Sequence, residues 1–284
     1  MLHRYATQGI PAPSTAPPWS QQQKDMAVLR GPHPSAAYVY DAFLKQEMVD
    51  MARMGYWVVL PYSSIRDLPQ LKIAPCGVVP QRDRRPRTII DYTYNGVNQT
   101  SLDVAPVHSM QFGSALQCIL QRLAYCNPTF GPPLMAKIDL ADGYYRIPLS
   151  AQASLNLAIV LPHDGLEEPI LGLPLSLPMG WTDSPPYFCS FTETCADLAN
   201  THKHNMFNHP FHYALQNGKA AQQPTFLDTA IFPMNIAPPP DPLSHTDVYI
   251  DDFMVLAQHP TQDFTLNNVL QHLHSMFEDD VHSP

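Results

Sequence analysis

The sequence predicts a protein of mixed helices and strands, and three observations carry this prediction. Apolar residues recur at helical spacing in several segments, for example along residues 109–125. Short apolar runs bounded by turn residues, such as Ile73–Pro80, favour β-strands instead. Two further strand-like runs carry carboxylates, at Asp139 and at Asp251. A chain of 284 residues can bury a substantial core, as one large or two small domains.

The first half of the chain opens with a segment of unusual composition. Residues 1–34 are rich in Pro, Ser, Ala and Gln and lack periodicity, so we expect a disordered lead-in. Apolar spacing over residues 35–54 predicts a helix, with Ser35 as a candidate N-cap. The runs Ile73–Pro80 and Arg87–Thr93 predict two strands of a hairpin whose charged turn reaches into solvent.

The second half alternates helices with strands. Helices are predicted over residues 109–125, about 184–200 and 262–279, and a strand that bears Asp139 follows the first of them. Periodicity fails over residues 201–245, where prolines cluster, and this indicates an insertion or a long surface loop. The histidines crowded into this stretch are His202, His204, His209 and His212. They could bind zinc, but structural zinc sites usually recruit cysteine and none lies nearby, which favours a solvated polar loop.

The charge balance is acidic, with a formal net charge of −9. This is the wrong sign for a protein whose affinity should come from phosphate contacts. Six of the sixteen basic residues, however, fall within residues 66–87. They are Arg66, Lys72, Arg82, Arg84, Arg85 and Arg87. The sequence therefore predicts a basic tip on an acidic body.

The cysteines and the hydropathy indicate the compartment. Five cysteines are odd in number and form no CxxC pair, which favours reduced thiols in an intracellular protein. No apolar run approaches membrane-spanning length, and the N-terminus lacks the apolar core of a signal peptide. We therefore expect no membrane partner.

Carboxylates interrupt two strand-like runs, and their number points to a metal. Asp251 and Asp252 are adjacent within the apolar run 248–256, where burial is costly unless a cation compensates the charge. The alternative is a hairpin whose tight turn falls at this pair, since Asp tolerates turn conformations. Asp139 ends a second apolar run, and Asp142 follows at the expected turn. Three carboxylates brought together would match a two-metal phosphoryl-transfer site, whose ions lie roughly 3.5–4 Å apart.

Four boxes in order resemble those of reverse transcriptases of the LTR-retrotransposon and retroviral type. Tyr249-Ile250-Asp251-Asp252 resembles the YxDD box of that family. Residues 137–145, which read KIDLADGYY, resemble its first palm box. Residues 177–185, LPMGWTDSP, resemble the LPxGxxxSP box, and residues 85–95 resemble the fingers segment usually written RxxxDYRxLN. The resemblance covers roughly residues 55–280.

The resemblance implies the α+β architecture of right-hand polymerase fingers and palm, with an antiparallel palm sheet and helices on one face. Residues 35–108 would hold the N-terminal helix and the fingers hairpin, and residues 147–183 the return of the fingers. Residues 109–146 and 184–284 would form the palm, with Asp139 on a central strand. The family's thumb and RNase H domains have no counterpart in this sequence, so we expect a fingers–palm fragment.

The resemblance also implies an RNA-directed DNA polymerase that extends a primer 3′-hydroxyl by two-metal phosphoryl transfer. Asp139 and Asp251 would hold two Mg²⁺ ions, with Mn²⁺ as a substitute, and Asp252 would support the cluster. Backbone amides around Ala141 and Asp142 would meet the triphosphate, although Asp142 could equally be a turn or cap residue. The expected partners are dNTPs, an RNA or DNA template with primer, and the remaining polyprotein domains (thumb, RNase H, integrase).

The fingers box supplies candidate nucleotide contacts. Arg87 aligns with the arginine that grips the phosphates, a task suited to a guanidinium fork, or it is a solvated strand-end charge. Arg82 and Arg85 would add positive charge. Tyr144 falls where the family places an aromatic ring that excludes a 2′-hydroxyl, or it is a core tyrosine. Asp91 is expected to be structural, as the partner of a nearby arginine.

The remaining candidates lie around the nucleotide and the primer end. Met179 would pack at the nucleotide, and Gly180 would allow close backbone approach. Trp181 is favoured as a core residue. Tyr249 and Ile250 would pack against the primer terminus.

Two rival functions stay open. The first is a catalytically inactive retroelement relic that keeps the fold as a nucleic-acid or protein binding module, which the acidic balance favours. The second is an unrelated Mg²⁺-dependent phosphotransferase, which would act without a template and would leave the boxes around Arg87 and Gly180 unexplained. A retroelement enzyme would work in the cytoplasm or a virus-like particle, with the nucleus as a further option.

Overall fold

The computed structural model describes residues 1–102, 104–163, 167–202, 215 and 237–277, and it is an α+β protein. Its helices are α1 Leu2–Gln8, α2 Gln21–Arg30, α3 Pro34–Val39, α4 Asp41–Arg53, α5 Tyr62–Ile65, α6 Ala115–Ala124, α7 Ala151–Asn156, α8 Ser184–Thr201 and α9 Gln262–Phe277. Its strands are β1 Trp57–Pro61, β2 Ile73–Gln81, β3 Arg84–Ile90, β4 Leu134–Asp139, β5 Ala158–Val160, β6 Ile170–Pro174, β7 Ser244–Tyr249 and β8 Asp252–Ala257.

The chain divides into two compact units, each with its own sheet. Unit 1 comprises Met1–Ala105 and Asp142–Phe188, and unit 2 comprises Pro106–Ala141 and Cys189–Pro284. Unit 1 holds a five-stranded sheet in the order β1-β6-β5-β2-β3, in which only the β2–β5 pair is parallel. Unit 2 holds a three-stranded antiparallel sheet in the order β4-β8-β7.

The N-terminal segment is ordered into helices, which corrects the prediction of a disordered lead-in over residues 1–34. Helix α2 begins with a capping box. The Ser20 hydroxyl accepts a hydrogen bond from the Gln23 backbone N–H, and the Gln23 side chain accepts one from the Ser20 N–H. Such reciprocal capping satisfies backbone donors that an isolated polar helix would leave unpaired.

Helix α2 is also tied to the core of unit 1. Ala27 and Val28 are buried in the apolar cluster that contains Ile73 and Leu171. The buried Lys24 side chain donates from Nζ to the backbone carbonyl of Leu68, at 2.7 Å. The disorder prediction rested on the Pro, Ser, Ala and Gln content and on the missing periodicity, and neither reveals contacts such as the one between Lys24 and Leu68.

Several predicted elements are confirmed and others are adjusted. The hairpin predicted from Ile73–Pro80 and Arg87–Thr93 is confirmed as β2 and β3, and the helices predicted near 184–200 and 262–279 are confirmed as α8 and α9. The helix predicted over residues 35–54 is broken at Tyr40, where φ is −118°, into α3 and α4. Ser35 is not the cap, because α3 begins at Pro34, a residue suited to a first turn.

The sheet of unit 2 presents a corner to solvent. Helix α9 packs against β8 and β7, and α6 contacts β7. Strand β4 lies at the edge of the sheet, so the prediction of a central strand for Asp139 is wrong; β8 is central instead. Every residue of β4 is exposed or only half-buried. The sheet therefore leaves its Asp139 end accessible.

Candidate active site

The hairpin of β7 and β8 brings three carboxylates to one corner of the unit 2 sheet. The register pairs Tyr249 with Asp252, which leaves a two-residue turn between the strands. Asp252 also pairs directly with Asp139, the last residue of β4. Directly opposed residues of an antiparallel pair share a face, with Cβ atoms about 4.5–5.5 Å apart. Asp251 occupies the turn itself, and its carbonyl accepts a hydrogen bond of 3.1 Å from the Leu140 N–H.

The turn stores backbone strain at Ile250. This residue has φ of 59°, in the left-handed region that a β-branched side chain rarely enters. A positive φ at only the first turn position matches a type II′ hairpin, where glycine is normally found. Strain of this kind costs about 1–3 kcal/mol and clusters at functional sites. In this hairpin it accompanies an unbroken strand register up to the carboxylates.

One cation shares the corner with the carboxylates. Lys137 stands two residues before Asp139 in β4, so both side chains lie on one face of the sheet. Its Nζ donates to Asp252 Oδ2 at 2.7 Å. The hydrogen bond to Asp252, with the charges of Asp252, Asp139 and Asp251, raises the pKa of Lys137. Sequence reasoning missed this residue, although its spacing from Asp139 could have found it.

Burial and mutual repulsion disfavour charge on the turn carboxylate. Burial raises the pKa of Asp251, and the negative charges of Asp252 and Asp139 raise it further. Like charges opposite each other in a sheet are destabilising. A cation bound beside such carboxylates would reverse these effects. Among the described residues, the corner thus holds more carboxylates than cations.

The donor set suits a hard divalent cation by its chemistry. Asp139, Asp251 and Asp252 offer carboxylate oxygens, which Mg²⁺ and Mn²⁺ prefer over nitrogen and sulfur ligands. Within the described ranges, no three His, Cys, Asp or Glu side chains stand close enough to hold a metal as they are arranged. In this arrangement Asp252 faces Lys137. The fit is therefore one of residue type and placement on the sheet, and ligation would require Asp252 to turn.

A second acidic group lies in unit 2. Burial, with the charges of Asp247 and Asp197, raises the pKa of Glu193 on α8 to about 7. Asp247 lies on β7, and its Oδ2 is 3.6 Å from His245 Nε2. Sequence reasoning missed this group, because its members come from a helix and a strand far apart in the chain.

The residues predicted to meet the primer are at the same corner as the carboxylates. Tyr249 is 47% exposed, and its ring meets that of Phe112 edge-to-face, with centroids 5.4 Å apart. Ile250 is half-buried in the turn. The corner thus combines carboxylates with an exposed aromatic surface.

The predicted arginines of the fingers box lie in unit 1 and differ in environment. Arg82 is exposed in the turn between β2 and β3, and Arg87 is exposed on β3. Arg85 instead pairs with Glu47 of α4 at 2.5 Å, and its guanidinium lies 5.3 Å from the Phe43 ring centroid. Arg85 is therefore committed to a structural contact with α4.

Gly180 is explained by close packing within unit 1. Its φ is +99°, and a Cβ added there would lie 2.1 Å from the Ile90 carbonyl oxygen. The Asn98 side chain donates to the Gly180 carbonyl at 3.0 Å. The close backbone approach predicted for this glycine is thus made to the end of β3. Its neighbour Met179 is 39% exposed.

The turn after β4 carries further predicted residues. Asp142 has φ of 55° and accepts at its carbonyl from the Tyr145 N–H, so its turn role is confirmed. Ala141 before it is exposed. The Tyr144 ring stacks on Phe188 at 4.6 Å between centroids and is half-buried, as the core alternative expected.

Two structural assignments from the sequence can also be compared with the fold. Trp181 is confirmed as a core residue, 2% exposed, with Nε1 donating to the Ser101 hydroxyl at 3.0 Å. Asp91 does have a structural partner, but it is His33 at 3.1 Å rather than an arginine. Both the histidine and the carboxylate are partly exposed.

The histidine stretch is only partly covered. His202 Nδ1 lies 3.3 Å from His272 Nε2. His204, His209 and His212, and most of the predicted insertion over 201–245, lie outside the described residues. The cysteines Cys76, Cys118, Cys126, Cys189 and Cys195 are all free thiols, as predicted.

The structure thus gathers one subset of the predicted site residues in unit 2. These are Asp139, Asp251, Asp252, Tyr249 and Ile250, with Ala141 after β4. The others belong to unit 1. They are Arg82, Arg85, Arg87, Asp142, Tyr144, Met179 and Gly180.

Comparison with known proteins adds no relative. No protein-family model matches the chain, and no curated protein is significantly similar to it. Among the described residues, no helix combines the length and the apolar character needed to cross a membrane. The likeness to reverse transcriptases rests on the four boxes alone.

Proposed function

We propose that the chain is the fingers and palm part of an RNA-directed DNA polymerase, with unit 2 as palm and unit 1 as fingers. The observation that carries the proposal is the meeting of Asp139, Asp251 and Asp252 at the end of β4 and the β7–β8 turn. Phosphoryl transfer by two metal ions needs carboxylates on a rigid element. This corner carries three of them on paired strands and their turn, and the Asp252 side chain would have to rotate to bind a metal.

A purely structural turn accounts for less of this corner. The hairpin does turn, but at Ile250 and Asp251, one residue earlier than the structural alternative placed it. A turn alone, however, gives no reason to set Asp139 opposite Asp252, because opposed like charges destabilise a sheet. It also gives no reason for a β-branched residue at positive φ, where glycine would remove the strain. Both costs are understandable in a site that binds a cation.

The reaction would draw on named groups of the chain. Asp139 and Asp251 would hold Mg²⁺, with Asp252 in support. The bound metal would supply charge neutralisation at the phosphates and lower the pKa of the primer 3′-hydroxyl. Tyr249 would offer its exposed ring to the primer end. Arg87, exposed on β3, would offer a guanidinium to the triphosphate.

The test is extension of oligo(dT) on poly(rA) with dTTP and Mg²⁺. We expect Asp251→Asn to reduce extension on the order of 10³-fold or more, because one metal ligand is lost. Asp241→Asn is the matched control, since Asp241 is an exposed carboxylate in the segment before β7. Equal extension by wild type and Asp251→Asn, or none by folded wild type with Mg²⁺ or Mn²⁺, would contradict the proposal.

One rival has an observation in its favour. The net charge of −9 favours a binding module over a processive polymerase, because template affinity needs cationic contacts. Such a module would bind a template–primer duplex and leave the primer unextended. The unrelated phosphotransferase would transfer phosphoryl groups at the same rate with and without template.

A further inference from the structure

Lys137 contacts one of the carboxylates that are proposed to bind a divalent cation. Its Nζ contacts Asp252 Oδ2 at 2.7 Å, and the two residues belong to adjacent strands of one hydrogen-bonded ladder. Asp252 is paired with Asp139 across the strands, and Lys137 precedes Asp139 by two residues on the same face. The ammonium therefore lies beside the opposed carboxylates.

The two partners differ in their freedom to move. The Lys137 side chain is 58% exposed, whereas that of Asp252 is 26% exposed. A long exposed lysine can turn into solvent readily, because an exposed ion pair contributes little to stability. The backbone of Asp252 is held in the central strand β8, and only its short side chain can rotate. A cation that displaced Lys137 from Asp252 would thus move the lysine side chain and leave the sheet in place.

We propose that Lys137 is a resident counter-ion of the carboxylate corner, which holds Asp252 in the metal-free protein and competes with a divalent cation for its oxygen. Lys137 then sets the concentration of divalent cation at which the carboxylates of the corner bind it. It is a positioning residue, since it acts through Asp252. This inference rests on the proposed function only in assigning the carboxylates to a divalent cation.

The competition follows from the geometry of the oxygen. A carboxylate oxygen that accepts a charge-assisted hydrogen bond must release it to turn toward a cation. The positive charge of Lys137 would also repel a divalent ion until the side chain leaves. An ordinary surface ion pair would instead stabilise the fold and leave cation binding unchanged. A variant that keeps the aliphatic stem and removes the charge should therefore bind the cation more tightly if Lys137 is a counter-ion, and with unchanged affinity if it forms an ordinary ion pair.

The first measurement is Mn²⁺ binding to the full chain, followed by the electron paramagnetic resonance signal of free Mn²⁺. We expect Lys137→Met to lower the Mn²⁺ Kd about fivefold, the range of one exposed ion pair. Lys137→Arg keeps the charge and should stay within about twofold of wild type. Lys45→Met is the matched control, because Lys45 forms a comparably exposed pair with Asp41 in α4.

The second measurement is urea unfolding in EDTA and in Mg²⁺, which separates loss of the counter-ion from general damage. Lys137→Met should be less stable than wild type in EDTA, because the three carboxylates then lose the positive charge of Lys137. Asp252→Asn in the same chain should cancel that loss, and saturating Mg²⁺ should reverse it. A loss that is the same in EDTA and Mg²⁺ would overturn the inference.

The outcomes distinguish this inference from the proposed polymerase. If wild type binds Mn²⁺ and Lys137→Met binds it with the same or weaker affinity, only the counter-ion role is overturned. If neither binds Mn²⁺ more tightly than Asp251→Asn does, the cation site and the counter-ion role both fail. A fivefold gain in affinity without any primer extension would support the counter-ion and reject the polymerase reaction.

Discussion

The hairpins β2–β3 in unit 1 and β7–β8 in unit 2 differ in the backbone geometry near their turns. Each joins its strands through two residues. In β2–β3 the register shifts between Val79 and Gln81, a bulge that relaxes the turn. In β7–β8 the register is unbroken, and Ile250 takes a positive φ instead. The hairpin that carries the carboxylates thus keeps strict alignment at the cost of local strain.

The two hairpins also differ in the balance between cations and carboxylates around them. Arg85 on β3 is matched by Glu47 and Asp50 of α4 within unit 1. The corner at Asp252 gathers three carboxylates around one lysine, Lys137. Among the described residues, the Arg85 cluster has one carboxylate more than its cation, and the corner has two more. The larger excess of negative charge gives the corner the stronger reason to bind an outside cation.

The largest effect is expected where the β2–β3 hairpin ends. Gly180→Ala should lower the free energy of unfolding by about 3–5 kcal/mol, because the new Cβ meets the Ile90 carbonyl at 2.1 Å and φ is positive. Gly113→Ala is the control, since a Cβ there meets nothing within 4 Å. Urea unfolding measures both. Equal stability of the two variants would show that the backbone approach at Gly180 is not tight.

The next effect separates two arginines of β3. Arg85→Gln should lower the free energy of unfolding by about 1–2 kcal/mol, because Glu47 is only 7% exposed and loses its partner. Arg87→Gln, on an exposed site, should change it by less than about 0.5 kcal/mol. Under the proposed function Arg87→Gln instead raises the KM for dTTP on the order of tenfold. A larger loss of stability in Arg87→Gln than in Arg85→Gln, with the rise in KM found in Arg85→Gln, would refute the separate roles assigned to the two arginines.

A pH effect is expected near β7. The Glu193 pKa of about 7 lies above the ordinary 4.5, so the folded state binds this proton more tightly than the unfolded state. Stability from protonated Glu193 is fully present below about pH 4.5 and is lost as pH rises through 7. Glu193→Gln, which mimics the protonated form, should therefore be more stable than wild type at pH 8 by about 1–2 kcal/mol and nearly equal at pH 4.5.

The measurement for Glu193 is thermal or urea unfolding at several pH values. Glu167→Gln, at an exposed glutamate, is the matched control for the loss of one carboxylate. A stability gap between Glu193→Gln and wild type that stays constant from pH 4.5 to 8 would contradict the assignment.

The smallest effect tests the strained turn. Ile250→Asn should raise the free energy of unfolding by about 1 kcal/mol, because Asn tolerates positive φ far better than a β-branched residue. Ile89→Asn, at a partly exposed position in β3 that lacks a positive φ, should lower it instead. The urea unfolding midpoints of the two variants, each compared with wild type, test this prediction. A loss of stability in Ile250→Asn equal to that in Ile89→Asn would mean that the turn is not strained.

The sequence predicted the long and strongly patterned elements, since their periodicity is local. Helices α8 and α9 and the β2–β3 hairpin are examples. Strands β1, β5 and β6 were missed, because short apolar runs such as Ala158–Val160 cannot be told from buried helix by periodicity. Helix α2 was missed because its stability comes from a capping box and from Lys24, which reaches the carbonyl of Leu68.

The candidate site also has features that the sequence predicts and features that depend on the fold. Carboxylates within apolar runs are visible in a sequence, so Asp139, Asp251 and Asp252 can be named from the residue pattern alone. Their pairing in register depends on the alignment of strands far apart in the chain, and the edge position of β4 follows from the same alignment. The Arg85–Glu47 pair joins a strand to a helix and has no local signal either.

The central claim is that the carboxylate corner performs template-directed synthesis, and template exchange tests it most directly. Wild-type protein is given Mg²⁺ and either poly(rA)·oligo(dT) or poly(rC)·oligo(dG), each with dTTP or dGTP, and products are sized on a gel. We predict extension with dTTP only on poly(rA) and with dGTP only on poly(rC), and none by Asp139→Asn. Incorporation that ignores the template, or that survives in Asp139→Asn, would contradict the account.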